Sequence, residues 1–167
     1  MGIRVIAAVL AAFCGAFYGL NRSEKLKKRV LICSDADKVF RLTETMIRSS
    51  GTDIYSIFSV IKREKISGLS FINKLPDDYS ADKDFHSLWR ELLMSEPDIP
   101  QEEQGILLDF GELLGTSDID GQLNGIAAVR SLMQELYLRR SEEYHSKAKL
   151  YRSVGVLAGV MVGIMVI

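Results

Sequence analysis

The sequence predicts an all-α protein, a helical bundle between two transmembrane helices. Three observations predict it. Both ends of the 167-residue chain are long apolar runs. The residues between them repeat apolar positions every three and four places, and no stretch alternates with the period of two that a half-buried strand needs. With 47% apolar residues and a formal net charge of -1, the chain has room for one ordinary domain and about two membrane spans. The expected division is a transmembrane helix over residues 3–20, a cytoplasmic helical bundle over 21–152 and a second transmembrane helix over 153–167.

The first span, Ile3 to Leu20, carries a single charge, Arg4. Its length of about 27 Å as a helix nearly matches a hydrocarbon core of roughly 30 Å. A cleaved signal peptide is the competing reading, but Phe13 before Cys14 spoils a lipoprotein-type cleavage site. Ala7, Ala11, Gly15 and Gly19 recur every fourth residue, and the other end of the chain answers with Gly155, Gly159 and Gly163. Small residues at this spacing let helix backbones approach closely, and in lipid it is packing that drives helices together. The rows predict an antiparallel hairpin with Ala11, Gly15, Gly155, Gly159 and Gly163 at its contact. The alternatives are the ordinary abundance of Ala and Gly in membrane helices, and a row that faces another subunit.

After Leu20 the helix is expected to continue. Leu26, Val30, Cys33, Asp37, Phe40, Glu44 and Ile47 mark one face at a seven-residue repeat, ending near Ser49, Ser50 and Gly51. Thr52 or Asp53 can cap a second helix with the stripe Ile54, Ile57, Phe58 and Ile61. Gly68 is expected to stop it, and Leu69 to Leu75 to add a short helix ahead of Pro76. Ser80 is expected to cap the next, with Phe85, Leu88, Trp89 and Leu92 on one face. Pro100 suits a first helical position for a helix showing Leu107, Phe110, Leu113 and Leu114. That helix should stop at Gly115 and hand over through Ser117 and Asp120, spaced as a capping box.

The last helix, Asp118 to Ile167, reads as one rod of roughly 75 Å that begins in water and ends in a bilayer. Ile126, Val129, Leu132, Met133 and Leu136 give it an amphipathic start, and no breaker separates them from the apolar end. Its apolar part is only about 22 Å long, which is short, so Arg152 and Tyr151 are placed to sit at the interface.

Charge sets the expected orientation. Arg22, Lys25, Lys27, Lys28 and Arg29 follow the first span; Arg139, Arg140, Lys147, Lys149 and Arg152 precede the second. Basic residues stay on the cytoplasmic side, so the central domain should be cytoplasmic in a multi-pass protein of the cell membrane. From Asp77 to Asp120 there are thirteen acidic residues against only Lys83 and Arg90. This acidic pole is either a solvated surface or a docking face for a basic partner, with Asp82 and Asp84 as its candidate contacts.

Catalysis and cofactors find little footing. Cys14 and Cys33 are expected to be reduced, small apolar fillers, and two remote cysteines with two lone histidines offer no metal-ligand spacing. No nucleophile and base pair stands out. No catalytic residue, cofactor or metal is expected, nor any nucleic-acid partner. His86 and His145, each on an expected helix, leave a membrane-tethered phosphotransfer bundle as an alternative, and the same architecture would also allow a stand-alone membrane adaptor module. Neither histidine is followed by the Lys-Gly that phosphotransfer domains offer a phosphoryl group.

The glycines call for a reason, since each costs about 1 kcal/mol in a helix relative to alanine. Gly111 and Gly115 lie one turn apart, as do Gly121 and Gly125 at the start of the next helix. A close crossing of these two helices, filled by Phe110 and Leu114, is the expected explanation. Asp118 is expected to help the long helix begin, and Gln122 to bond a loop carbonyl or be exposed.

The order apolar span, basic helix, short helices, then Leu107, Phe110, Gly111, Leu114, Gly115, Asp118 and Gln122 before a long helix into a C-terminal span resembles the stage III sporulation protein AB family. The resemblance implies a bundle similar to the cytoplasmic domains of type II secretion F-proteins. It implies a non-enzymatic platform in the secretion-like channel complex that joins mother cell and forespore. The implied partners are other proteins of that complex, including a secretion-type cytoplasmic ATPase, with a homo-oligomer also open.

Overall fold

The computed structural model describes residues 2–50, 53–64, 66–77, 84–115 and 118–166. Within them, the side chains of 2–9, 11–13, 16, 50, 152, 156, 159, 160 and 162–166 fall outside the description. The elements are α1 (Gly2–Ser50), α2 (Ile54–Ile61), a 3-10 helix (Ser70–Lys74), α3 (Phe85–Met94), α4 (Gln101–Leu113) and α5 (Ile119–Val166). Among the described residues none lies in a strand, so the fold is all-α. The chain divides into two compact units, Met1–Val30 with Arg139–Ile167, and Leu31–Leu138.

The Leu31–Leu138 unit is built on two helix faces that come from far apart in the sequence. Along α1, Cys33, Phe40 and Ile47 keep the seven-residue repeat, flanked by Ile32, Ala36 and Val39, and all six are buried. Along α5, Ile126, Val129, Met133 and Leu136 are buried at alternating three-and-four spacing, the narrow seam of helices that cross at a shallow angle. Leu132, expected in that stripe, is instead 51% exposed. It stands about 100° around the helix from Met133, outside the seam.

The short elements close over these faces around one indole. Trp89 of α3 is 1% exposed, and its ring centroid lies 5.4 Å from Phe58, 5.0 Å from Phe71 and 5.8 Å from Phe110. Phe110 in turn stacks 4.2 Å from Phe40 of α1. One side chain therefore ties α2, the 3-10 helix, α3 and α4 together.

Several expected boundaries are corrected. α2 ends at Ile61, with Lys62 as its C-cap, rather than running to Gly68. The Arg63 and Glu64 N–H groups donate to carbonyls three residues back, Val60 at 3.1 Å and Ile61 at 3.0 Å, and so close the last turn, while the Lys62 ammonium donates to the Leu75 carbonyl and to the Asp77 carboxylate, the latter 2.6 Å away. Gly68 serves another purpose: its N–H donates to the buried Asp35 carboxylate at 2.7 Å. A Cβ there would lie 3.1 Å from the backbone of Ile32, so the loop rests directly on α1. α3 begins at Phe85 behind an extended Asp84, so Ser80, outside the described residues, is not its cap. Pro100 is the residue before α4, and its carbonyl accepts the Gln104 N–H at 2.9 Å.

In the other unit, α1 and α5 pack side by side on glycine. A Cβ on Gly155 would fall 2.6 Å from the Gly15 carbonyl oxygen and 3.0 Å from the Gly19 Cα. A Cβ on Gly19 would meet the Tyr151 carbonyl and lie 3.3 Å from the Gly155 Cα. Contacts that descend α5 as they ascend α1 make the pair antiparallel. Ala11, Gly159 and Gly163, expected in the same contact, have side chains outside the description. Among the described residues, no helix is long and apolar enough to cross a membrane.

Candidate functional site

The distinctive run from Leu107 to Gln122 forms the corner between α4 and α5. Leu107, Phe110 and Gly111 of α4 are buried, with Leu114 just past its end. Leu107 presents its carbonyl to Trp89, whose Nε1–H donates to it at 2.9 Å. An N–H buried in an apolar cluster needs such a partner, because leaving it unmade costs about 1–3 kcal/mol. Gly111 provides the room: a Cβ there would lie 2.9 Å from Trp89 Cγ and closer still to Cδ1 and Nε1. His86, one turn before Trp89 on α3, donates from Nδ1 to the Gly111 carbonyl at 3.0 Å.

The expected reason for the glycines is thereby corrected in part. The atoms nearest an added Cβ at Gly111 belong to Trp89 of α3, so it is α3 that this glycine admits. Gly125 does mark the α4–α5 approach, since a Cβ on it would lie 2.6 Å from Leu113 Cδ2. Gly115 has φ +74, the left-handed conformation that ends a helix at little cost for glycine. Gly121 receives the cap of α5: its N–H donates to Asp118 Oδ1 at 2.8 Å. Asp118 is thus the observed N-cap, and its carbonyl also accepts the Gln122 N–H at 3.0 Å. Ser117, expected in the capping box, lies outside the described residues.

Past the corner, Gly115 and Gln122 help to line a hollow of about 270 Å³ with Ile47, Asp53, Ile54, Ile57 and Ile119. Ile119 is 53% exposed at its edge. Asp53 accepts the Tyr55 N–H at 3.1 Å and so caps α2. The residues that stand out in the sequence therefore cap, turn and pack.

The acidic stretch is less open than its sequence implies. Asp77 pairs with Lys62 at 2.6 Å and Glu96 with Lys74 at 2.7 Å, while Glu112 pairs with Arg90 and Glu103 is fully buried. Asp84 is exposed at the start of α3, with no side-chain cap bond. Asp82 lies outside the described residues. His145 is exposed on α5. Among the described residues, no cluster of His, Cys, Asp or Glu could hold a metal ion.

One constellation escaped the sequence reading. Arg130 of α5 donates from Nε to Asp37 Oδ1 at 2.9 Å and from Nη1 to Glu44 Oε2 at 3.3 Å. Gln134 adds a third bond to Asp37 at 2.9 Å. The Asp37 hydrogen bond, with the charges of Asp37 and Glu44, holds the guanidinium above its ordinary range against partial burial. The signal was present: Asp37 and Glu44 interrupt an apolar seven-residue repeat one heptad apart, and a seam that buries two acids calls for a cation opposite.

The fold and this corner define a class, an all-helical bundle protein whose distinctive residues build a helix corner around a buried tryptophan. The chain matches the family model described as stage III sporulation protein AB over residues 4–167, and it belongs to that family. Its role is accordingly in stage III of sporulation. No curated protein and no solved structure matches it.

Proposed function

We propose that the chain is a non-enzymatic scaffold of a secretion-like membrane complex formed at stage III of sporulation. Its two ends span the cell membrane of the mother cell and the unit between them faces the cytoplasm. Family membership supports the setting. The single observation that carries the scaffold reading is that Leu107, Phe110, Gly111, Leu114, Gly115 and Asp118 are spent on seating Trp89 and capping helices. A protein whose signature lies in packing presents a shape to partners. The partners proposed are other proteins of the channel complex, among them a secretion-type cytoplasmic ATPase. The similarity to type II secretion F-proteins enters as a fold-level analogy.

The spanning ends rest on the sequence: apolar runs at both termini and basic residues at both inner edges. The test uses a single cysteine at Ser87, which is exposed. In intact cells an impermeant thiol reagent should leave it unlabelled until the membrane is opened, and cross-linking should recover the ATPase and other complex members. Labelling in intact cells, or cross-links that lack those proteins, would overturn the proposal. A chain with both His86→Gln and His145→Gln should still support sporulation, as a phosphotransfer protein would not.

A further inference from the structure

The segments beside the two apolar ends, 21–30 and 139–152, hold ten basic residues against three acidic ones, a net +7 in a chain whose total is -1. They are far apart in sequence, yet both belong to the unit of Met1–Val30 and Arg139–Ile167. Lys25, Lys27, Lys28, Lys147 and Lys149 are all exposed. Glu143 answers part of this charge, accepting from Lys147 at 3.0 Å and pairing with Arg140 at 3.8 Å. Exposed apolar and aromatic groups adjoin the cations: Phe17 is 73% exposed, Tyr18 63% and Leu20 51% on α1, with Tyr151 at 37% on α5. Arg22 lies 5.7 Å from the Tyr18 ring centroid and donates to its hydroxyl at 3.4 Å.

We infer that this collar binds the headgroups of anionic phospholipids. The inference rests on the proposal that the ends span a membrane. The juxtaposition of tyrosines and cations favours a lipid surface over a nucleic acid or an acidic protein. Amphipathic rings settle at headgroup level, and basic side chains just beyond them meet the negative surface of the leaflet. The attraction decays over about 8 Å at physiological salt. If the interface lies near Leu20 and Ser153, Lys25 stands about 8 Å beyond it, Lys149 about 6 Å and Arg139 about 21 Å. Lys25 and Lys149 engage the headgroups, as do Arg22 and Arg152, which stand nearer still, and Arg139 is out of range.

The test places the full chain in phosphatidylcholine vesicles containing a minority of phosphatidylglycerol. Spin-labelled forms of each lipid report which is motionally restricted beside the protein. Phosphatidylglycerol should be preferred several-fold at low salt and lose that preference at high salt. Arg22→Gln, Lys25→Gln, Lys149→Gln and Arg152→Gln together should bring the preference to within about twofold of parity, while Arg139→Gln leaves it in place. Circular dichroism should give the same helical content in each variant. Equal restriction of the two lipids by the unaltered chain, or a preference that survives the fourfold change, would overturn the collar. Competition by a short DNA duplex at equal phosphate concentration that abolishes the preference would overturn lipid as the partner. Removal of the chain from pure phosphatidylcholine vesicles by alkaline carbonate would instead overturn the spanning proposal. A chain that stays through that wash and shows no preference loses only the collar.

Discussion

The indole of Trp89 occupies the place where residue 111 would carry a side chain, 2.9 Å from its Cγ to an added Cβ, and is held there by the Leu107 carbonyl at 2.9 Å. The hydrogen bond and the missing methyl are two parts of one fit. Trp89 cannot retreat without giving up a buried N–H partner and its ring contacts with Phe58, Phe71 and Phe110.

Gly111→Ala should therefore destabilise the protein, although helix propensity by itself favours alanine by about 1 kcal/mol. Overpacking at a fixed ring costs about 1–3 kcal/mol, and the steric cost wins. Gly105, in the same helix, has nothing within 4 Å of an added Cβ, so Gly105→Ala should stabilise by about 0.5–1 kcal/mol. Thermal melts followed by circular dichroism should show opposite signs; a shift in the same direction would mean that Trp89 yields.

Arg130 and Asp37 should be energetically coupled. Both are about three-quarters buried, at 27% and 26% side-chain exposure, so their pair lies between a surface ion pair and a desolvated one. A double-mutant cycle of Arg130→Met and Asp37→Asn should give a coupling of about 1 kcal/mol. Additive effects would show that the three bonds of this cluster have no net worth in stability.

Gly155→Leu should disrupt the packing of α1 on α5, because even its Cβ would press on the Gly15 carbonyl at 2.6 Å. Val154, its neighbour, is 51% exposed, and Val154→Leu should be tolerated. A disulfide engineered between the two helices near Tyr18 and Tyr151 should form readily in the second variant and poorly in the first. Equal yields would remove the glycine from the contact.

Glu143 should give the protein a small acid-dependent stability. Its hydrogen bond from Lys147, aided by the charges of Lys147, Arg140 and Arg29, holds the carboxyl below the ordinary 4.5 despite some burial. A carboxyl depressed on folding contributes fully above its unfolded value and loses that contribution as pH falls through the folded one. The advantage of the native chain over Glu143→Gln should be about 0.3–0.5 kcal/mol at neutral pH and fade in acid, as pH falls below 4.5 and through the folded value. Melts across that range provide the measurement, and an advantage that persists in acid would refute the account.

The sequence by itself determined that the protein is helical, roughly where each helix lies and which family it belongs to, because these follow from local periods and from one closely spaced motif. Cys33, Phe40 and Ile47, or Ile126, Val129 and Met133, announce a buried face through spacing alone. Tertiary structure decided what each face meets, and spacing along one helix carries no information about that. Gly111 signals that something approaches, but only the fold identifies the ring of Trp89, twenty-two residues earlier in the chain. Asp37 and Glu44 look like faults in a repeat until Arg130 arrives on a helix that starts at Ile119. Leu132 fits an amphipathic stripe as well as Met133 does, and which of them is buried depends on the angle at which α5 lies against the core. Two basic segments become one collar for the same reason: α1 and α5 run antiparallel on Gly15, Gly19 and Gly155, and that pairing brings together charges that the chain keeps more than a hundred residues apart.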